Sequence, residues 1–512
     1  MKHLPVIGLA GLLLANTTTF ASPPAPPTNL TARPGGPTSI ILEWTDSSAD
    51  ETGFRVERAS GGSWDLVATL DENSQAHTVT GLSANSSTAY RVLAFNNDGS
   101  SEPSGSVNGE TTIRMNVIFF LADDMGVKDI VALRSPDIDG PTIYETPALD
   151  QFVSEGVRFN RAYCSGPKCV VSRRSMLTGM VDFRKEAVAQ GGGIGSEMIT
   201  FGEAMQAGGY GTAYIGKWHL GGIPDHPDRM PAQQGFDTSI AAGDYGAPTP
   251  SYFPEPVDGT SPQEYSFNMP DLATTTNPDE YLTDRLTAEA NSFISTHTAA
   301  NPSQPFFLTL AHYAVHTPLE AKQADIDYFT TRKQALANEL ANHPKADSPF
   351  ETDYSNRGRN IQDQVVYAAM MKSFDDSLAS LRAHLASSDD PRNPGKKLSE
   401  TTVIILSSDH GGKSGFWSAS NPKDDQIPTA NYPLRYGKTW CYEGGLRIPL
   451  IVYWPGVNQP NTESEALVHG ADFYKSFLEI SDSPLVPTQH KDSISFAASI
   501  SNPEIKTRTE TF

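Results

Sequence analysis

Cysteine is scarce in this chain. Three in 512 residues are too few for the disulfide framework that small exported domains rely on. Basic residues are in deficit, with 38 Lys and Arg against 60 Asp and Glu, a formal charge of −22. A surface that neutralises nucleic-acid phosphates needs the opposite balance, so a nucleic-acid partner is excluded. An anionic small substrate is not, provided basic side chains converge locally. Long apolar runs are also missing. Leu4 to Ala15 is too short to span a bilayer, and no later stretch is long enough. That run follows Lys2 and His3 and precedes the small-residue site Thr19-Phe20-Ala21, so residues 1–21 read as a signal peptide. The mature chain is then secreted or periplasmic, with no membrane span. A hydrophobic share of 38% and a charged share of 19% describe a globular protein. Its length is too great for one ordinary core, so two or more domains are expected.

After a Pro-rich linker, Ser22 to Pro27, short runs alternate with period two: Ile40, Leu42, Trp44; Phe54, Val56; Tyr90, Val92, Ala94. Period two means half-buried strands, and Pro34-Gly35-Gly36, Gly61-Gly62 and Asn97-Asp98-Gly99 supply turns between them. Size and spacing suit a seven-stranded sandwich. Residues 24–112 resemble a fibronectin type III domain, with Trp44 as the core aromatic and Leu82 to Tyr90 as its tyrosine corner. Such a module reads as a spacer, since no exposed aromatic platform for a glycan is evident.

From Met115 the pattern changes. Val117 to Leu121, Phe306 to Leu310 and Val403 to Leu406 are continuous apolar runs, as in strands buried on both faces. Val157 to Tyr163 and Thr212 to Ile215 also read as strands. Between them lie helical patterns: Thr146-Pro147 opening a helix, Phe201 to Gly208, Tyr281 to Thr296, and Ile361 to Ala386 with Val366, Met370, Phe374, Leu378, Leu381 and Leu385 on one face. This alternation predicts an α/β fold with a mostly parallel sheet. Residues 244–278 read as a surface loop. The mixed charges of 322–359 read as a solvated helix face.

Polar clusters follow three of the strands: Asp123-Asp124, His312 with His316, and Asp409-His410. In open α/β sheets ligands bind at the carboxyl ends of strands, so these clusters are expected to meet at one edge. Asp123, Asp124 and Asp409 are hard oxygen donors and His410 adds a nitrogen. That set favours Ca²⁺ or Mg²⁺, with Mn²⁺ admitted by the imidazole. Turn or cap acids are the plain alternative for Asp123-Asp124 alone. Lys217 and His219 sit two apart in Gly-Lys-Trp-His-Leu-Gly, on one side of an extended segment. Lys438 lies ahead of Glu443-Gly444-Gly445-Leu446-Arg447.

The stretch Cys164 to Gly179 holds two of the cysteines. Gly166-Pro167 makes a turn, Ser172 can cap a short helix and Gly179 can end it. Cys169 at the mouth of that helix, with Arg173 one turn on, is a good place to hold an anion. A structural cysteine is the default reading. Cys164 and Cys441 either pair or are both free.

From Asn116 to Trp454 these motifs resemble the sulfatases, a family within the alkaline phosphatase superfamily. Cys169 and Arg173 match the family's Cys-x-Pro-x-Arg signature, and Leu177-Thr178-Gly179 its ending. The Gly216 to Gly221 cluster and the Glu443 to Arg447 run are rather specific to the family. The resemblance implies an alkaline-phosphatase-like domain over 114–512 that hydrolyses the sulfate ester of a sulfated poly- or oligosaccharide. It implies that a formylglycine-generating maturation enzyme oxidises Cys169 to formylglycine (3-oxoalanine), which is then hydrated. Asp123, Asp124, residue 169, Asp409 and His410 would hold a divalent cation, usually Ca²⁺. Arg173 would help activate one hydroxyl of residue 169 for attack on sulfur. Lys217 and Lys438 would neutralise sulfate oxygens. His316 would protonate the departing alcohol, and His219 would deprotonate the second hydroxyl to expel sulfate.

Two departures stand out. Val171 occupies the Pro position of the signature, or the Ala of a variant pattern. This raises a second reading, a catalytically silent sulfated-glycan binder with Cys169 unconverted, and a third, a phosphate-ester hydrolase on the same scaffold. The chain also stops at Thr511-Phe512, so the family's small C-terminal sheet with its packing helix is expected to be missing.

Overall fold

The computed structural model describes residues 22–83, 85–181, 184, 193–195, 197–221, 226–248, 251–257, 260–264, 269, 271–353, 356–417 and 426–508. Segment 1–21, read as a signal peptide, lies outside the described residues. The chain forms two compact units, each with its own core.

The smaller unit is all-β. Thr28–Gly36, Ser39–Thr45 and Ala76–Val79 make one sheet. Gly53–Ser60, Ser63–Asp71, Ser87–Asn96, Gly99–Ser100 and Val107–Glu110 make the other. The period-two residues Ile40, Leu42, Trp44, Phe54, Val56, Tyr90, Val92 and Ala94 form its core. The tyrosine-corner reading needs correction: the Tyr90 ring is buried, but its hydroxyl has no hydrogen-bond partner among the described residues.

The larger unit is built on an eight-stranded sheet. Its strands are β1 (Asn116–Ala122), β2 (Val157–Tyr163), β3 (Gly211–Gly216), β4 (Thr238–Ile240), β5 (Phe306–Ala311), β6 (Thr402–Ser408), β7 (Leu450–Tyr453) and β8 (Thr462–His469). Their order is β4-β3-β5-β1-β6-β7-β2-β8. Neighbours are parallel except at β7, which runs against both β6 and β2. The expected mostly parallel α/β sheet is what the chain forms.

Every residue of β1, β3, β5 and β6 is buried, which explains their unbroken apolar runs. Alternation sorts side chains between two cores. Ile118 and Phe120 pack on one side; Val117, Phe119 and Leu121 pack on the other. The first core is covered by α1 (Pro147–Glu155), α4 (Leu282–Ala300) and α5 (Val365–Ser387), the second by α3 (Phe201–Ala207) and α6 (Asp472–Ser481). On α5 the i, i+4 series Met370, Phe374, Leu378 faces the sheet, followed by Leu381 and Leu385. On α3, Thr200 and Glu203 form a capping box.

Two loop readings change. The stretch 244–278 is not all surface: Tyr252 is buried, with its hydroxyl 2.7 Å from the Tyr313 carbonyl and 2.8 Å from that of His316. It also holds a short hairpin, Glu255–Val257 with Thr260–Glu264. Within 322–359, Arg359 is buried and donates to the Ile427 carbonyl at 2.7 Å.

Candidate active site

Strand register builds the site. Gly216 pairs with Ala311, Ala311 with Leu121, and Ala122 with Ser408. The next residues out, Lys217, His312, Asp123 and Asp409, therefore leave the sheet at one carboxyl edge. His312 does not join the site. It is fully buried between the Phe120 and Phe374 rings, at 5.3 and 5.5 Å between centroids, and its Nε2 is hydrogen-bonded with Ser377 Oγ at 2.9 Å. Burial pushes its pKa down to about 3. The expected His312–His316 cluster is replaced by a structural histidine in the core and a site histidine four residues on.

Helix α2 (Cys169–Thr178) starts four residues earlier than a Ser172 cap would place it. Lys168 is the residue before its first turn, and Ser172 is buried inside the helix rather than capping it. Gly179, at φ 66°, ends it in the left-handed conformation. The Cys169 thiol thus stands at the positive end of the helix dipole. Arg173, one turn on and fully buried, donates from Nε to Asp409 Oδ2 at 3.0 Å and from Nη1 to the Lys217 carbonyl at 2.9 Å. Its Nη2 lies 3.6 Å from Asp123 Oδ1. A buried guanidinium with this many acceptors is fixed in place.

Cys169 Sγ lies 3.3 Å from His410 Nε2. His410 Nδ1 is 3.1 Å from the Gly411 carbonyl, which assigns the donor hydrogen there and turns Nε2 toward the site. Burial opposes a charged His410, but Asp409 and Cys169 overcome it and raise its pKa to about 9. Burial likewise opposes the thiolate, yet Lys217, His410 and Lys438 hold the Cys169 thiol well below its ordinary range. Lys217 Nζ donates to Asp123 Oδ2 at 2.5 Å. Burial still pushes the Asp123 carboxyl well above the usual carboxylate range. For Asp124, burial is outweighed by His316, Lys438 and His410, which hold it below that range.

Lys438 Nζ reaches both Asp124 oxygens and lies 2.8 Å from His316 Nε2. His316 Nδ1 sits 2.5 Å from the Thr317 carbonyl, so Nε2 is the acceptor. His219 also reaches the Cys169 thiol. It does so by a turn, since β3 ends at Gly216 and His219 has φ 61°; strand alternation was the wrong device for pairing it with Lys217. Burial pushes both His219 and His316 below the ordinary imidazole pKa. Cys169, His219, His316 and Lys438 line one cavity of about 440 Å³.

Ligand atoms of Asp123, Cys169, Asp409 and His410 all lie within 4.8 Å of one another; Asp124, Cys169 and His316 form a second such group. A divalent cation fits the first group. Asp123 Oδ1 is buried with no hydrogen-bond partner among the described residues, and oxygen donors with one imidazole suit Ca²⁺, Mg²⁺ or Mn²⁺.

Sequence reading missed the loop behind His219. A Cβ on Gly246 would stand 2.3 Å from His219 Cε1, so only glycine lets the imidazole lie there. Tyr245 and Lys168 line the same cavity. Nothing in local spacing marks these three. The three cysteines are free, Cys164 and Cys169 buried and Cys441 exposed.

Residues 115–483 match the Sulfatase family model. The chain belongs to the sulfatase family. Residues 25–110 match the Fibronectin type III domain. Arylsulfatase J of Mus musculus is 27% identical over 385 residues, covering 72% of this chain and 53% of that protein. N-acetylgalactosamine-6-sulfatase of the same animal is 28% identical, covering 71% and 62%. N-acetylgalactosamine-6-O-sulfatase of Bacteroides thetaiotaomicron is 25% identical, covering 75% and 76%. The chain thus spans little more than half the length of the first of these sulfatases. Two solved structures share the fold. Ps i-CgsB in complex with k-i-k-neocarrahexaose has a TM-score of 0.56 at 24% identity, covering 75% of this chain and 76% of that one. PsFucS1 sulfatase from Pseudoalteromonas sp. has 0.54 at 22%, covering 78% and 74%.

Proposed function

We propose that this chain hydrolyses the sulfate ester of a sulfated carbohydrate, with residue 169 as the nucleophile after conversion to formylglycine. One observation carries the reading: residue 169 is the member common to both ligand-competent groups and also lines the cavity. Its Sγ occupies the place that the oxygens of a hydrated aldehyde would take. Asp123, Asp409 and His410 would hold a divalent cation with residue 169, Asp124 standing beside them. Such a cation supplies positive charge to the nucleophile and to a sulfate oxygen.

The chain's own residues do the rest. Arg173 orients Asp409 and adds fixed positive charge behind residue 169. Lys217 and Lys438 offset the charge that builds on the sulfate oxygens in the transition state. His219, kept neutral by burial, accepts a proton from residue 169. His316, beside the Lys438 ammonium, is the proton donor to the leaving alcohol. A bound sulfate favours the charged form of His316 and so counters the effect of burial.

The carbohydrate class is carried over from the relatives, two of which are named for N-acetylgalactosamine sulfate. Residues 1–21 would direct export, and no helix among the described residues is long and apolar enough to cross a membrane. A maturation enzyme acting on the unfolded motif would supply the modification.

Val171 keeps the silent-binder reading in play, because it stands at the signature's Pro position. It sits in the first turn of α2, where either residue is tolerated, so the fold itself does not demand the Pro. Sulfate release from a panel of sulfated sugars, with Cys169→Ala as control, decides the matter. Release by the wild-type chain that is lost in the variant is the expected result; no release on any member of the panel would leave only binding.

A further inference from the structure

The cavity over residue 169 has a lopsided charge. In a chain of net charge −22, no Asp or Glu is among the described residues that line it, while two lysines are. Lys438 is committed to Asp124 and His316. Lys168 is not committed. It is exposed, lines the cavity, and makes no side-chain hydrogen bond or ion pair among the described residues.

Its backbone is nevertheless fixed. The Lys168 amide donates to the Gly166 carbonyl at 2.9 Å, and its own carbonyl accepts from Ser172 at 3.0 Å in the first turn of α2. The preceding Pro167 carbonyl accepts from Thr439 at 2.8 Å, which ties this turn to the segment that carries Lys438. A long cationic side chain is thus held at the cavity mouth, one residue from the nucleophile position, with no carboxylate among the described residues to neutralise it. Val170, Val171 and Tyr245 give the same cavity an apolar wall, and Tyr245 is 42% exposed.

We infer that Lys168 binds a second anionic substituent, a sulfate or carboxylate carried by the sugar whose first sulfate is being removed. The apolar wall packs against that sugar's carbon face. Lys168 is then a specificity-determining residue that selects multiply charged substrates. This rests on the sulfate-ester hydrolase reading above.

The test compares KM and kcat on N-acetylgalactosamine 6-sulfate, N-acetylgalactosamine 4,6-disulfate and a 6-sulfate linked to a uronic acid, with 4-nitrophenyl sulfate as a substrate without a second anion. A charge-assisted contact to one group is worth about tenfold or more in affinity. Lys168→Gln is therefore expected to raise KM for the doubly anionic sugars at least about tenfold more than for the singly sulfated one, with kcat falling far less, and Lys168→Arg should restore most of the difference. A larger effect on the disulfate than on the uronic acid conjugate identifies the substituent as sulfate, and the reverse as carboxylate. Equal KM changes on all substrates, no change on any, or no wild-type preference for a doubly anionic sugar would overturn the inference while leaving the hydrolase reading intact. Sulfate release from none of the four substrates would instead overturn the hydrolase reading and this one with it.

Discussion

Lys438 Nζ donates to both carboxylate oxygens of Asp124, at 2.7 and 2.9 Å. The two are 314 residues apart in the chain. One follows β1, and the other lies in the long segment between β6 and β7. Their meeting places a cation over the cavity that residue 169 lines, and the same ammonium touches His316. Lys438→Ala is expected to lower kcat about a hundredfold or more, since a preorganised donor to a developing anion is lost. A variant with unchanged kcat and raised KM would reduce Lys438 to ground-state binding.

A cation in the Asp123–Asp409–His410 group should stabilise the larger unit. At a free concentration one hundred times its Kd, the gain is about 2.7 kcal/mol. Thermal unfolding with Ca²⁺, Mg²⁺ and Mn²⁺ in turn, after chelation, is expected to move to higher temperature with at least one of them. Asp409→Asn should abolish that shift. No shift with any of the three ions would count against the metal assignment.

Gly246→Ala places a methyl group where the His219 ring stands, 2.3 Å from Cε1. The imidazole must move. The expected outcome is a loss of activity of about tenfold or more with the melting temperature little changed, since the cost falls on one side chain beside an open cavity. Unaltered kcat would mean that His219 is not the proton acceptor or that it relocates without penalty.

His312 gives a pH prediction with a definite sign. Its folded-state pKa is about 3 against an ordinary value of 6.5. Between those values the unfolded chain binds a proton that the folded chain does not. Stability is therefore lost as pH falls through that window, by up to about 1.4 kcal/mol per pH unit from this group. Denaturant midpoints measured across the window should fall less steeply for His312→Asn than for the wild type. Equal slopes would show that His312 is not the buried neutral group described.

These particulars show what the chain makes legible. The buried strands and their terminal acids could be read, because an apolar run followed directly by Asp-Asp or Asp-His marks a strand end with a cost that a cation relieves. His312 was misread because a position after a strand says nothing about direction. Yet Leu308, Leu310 and His312 share one period-two face with Phe120, and that alternation already sends the imidazole into the core. The start of α2 was misplaced because Lys168 offers no capping side chain, so the usual signal was missing. The role of Gly246 and the burial of Tyr252 were out of reach: both depend on contacts with residues distant in the chain, inside a stretch without periodicity.

The most direct test is the mass of the peptide carrying residue 169, recovered from the chain expressed with its maturation system and assayed for sulfate release in parallel. The account predicts an aldehyde at that position in preparations that release sulfate, with turnover proportional to the converted fraction. A free thiol throughout, in preparations that release sulfate equally well, would contradict it.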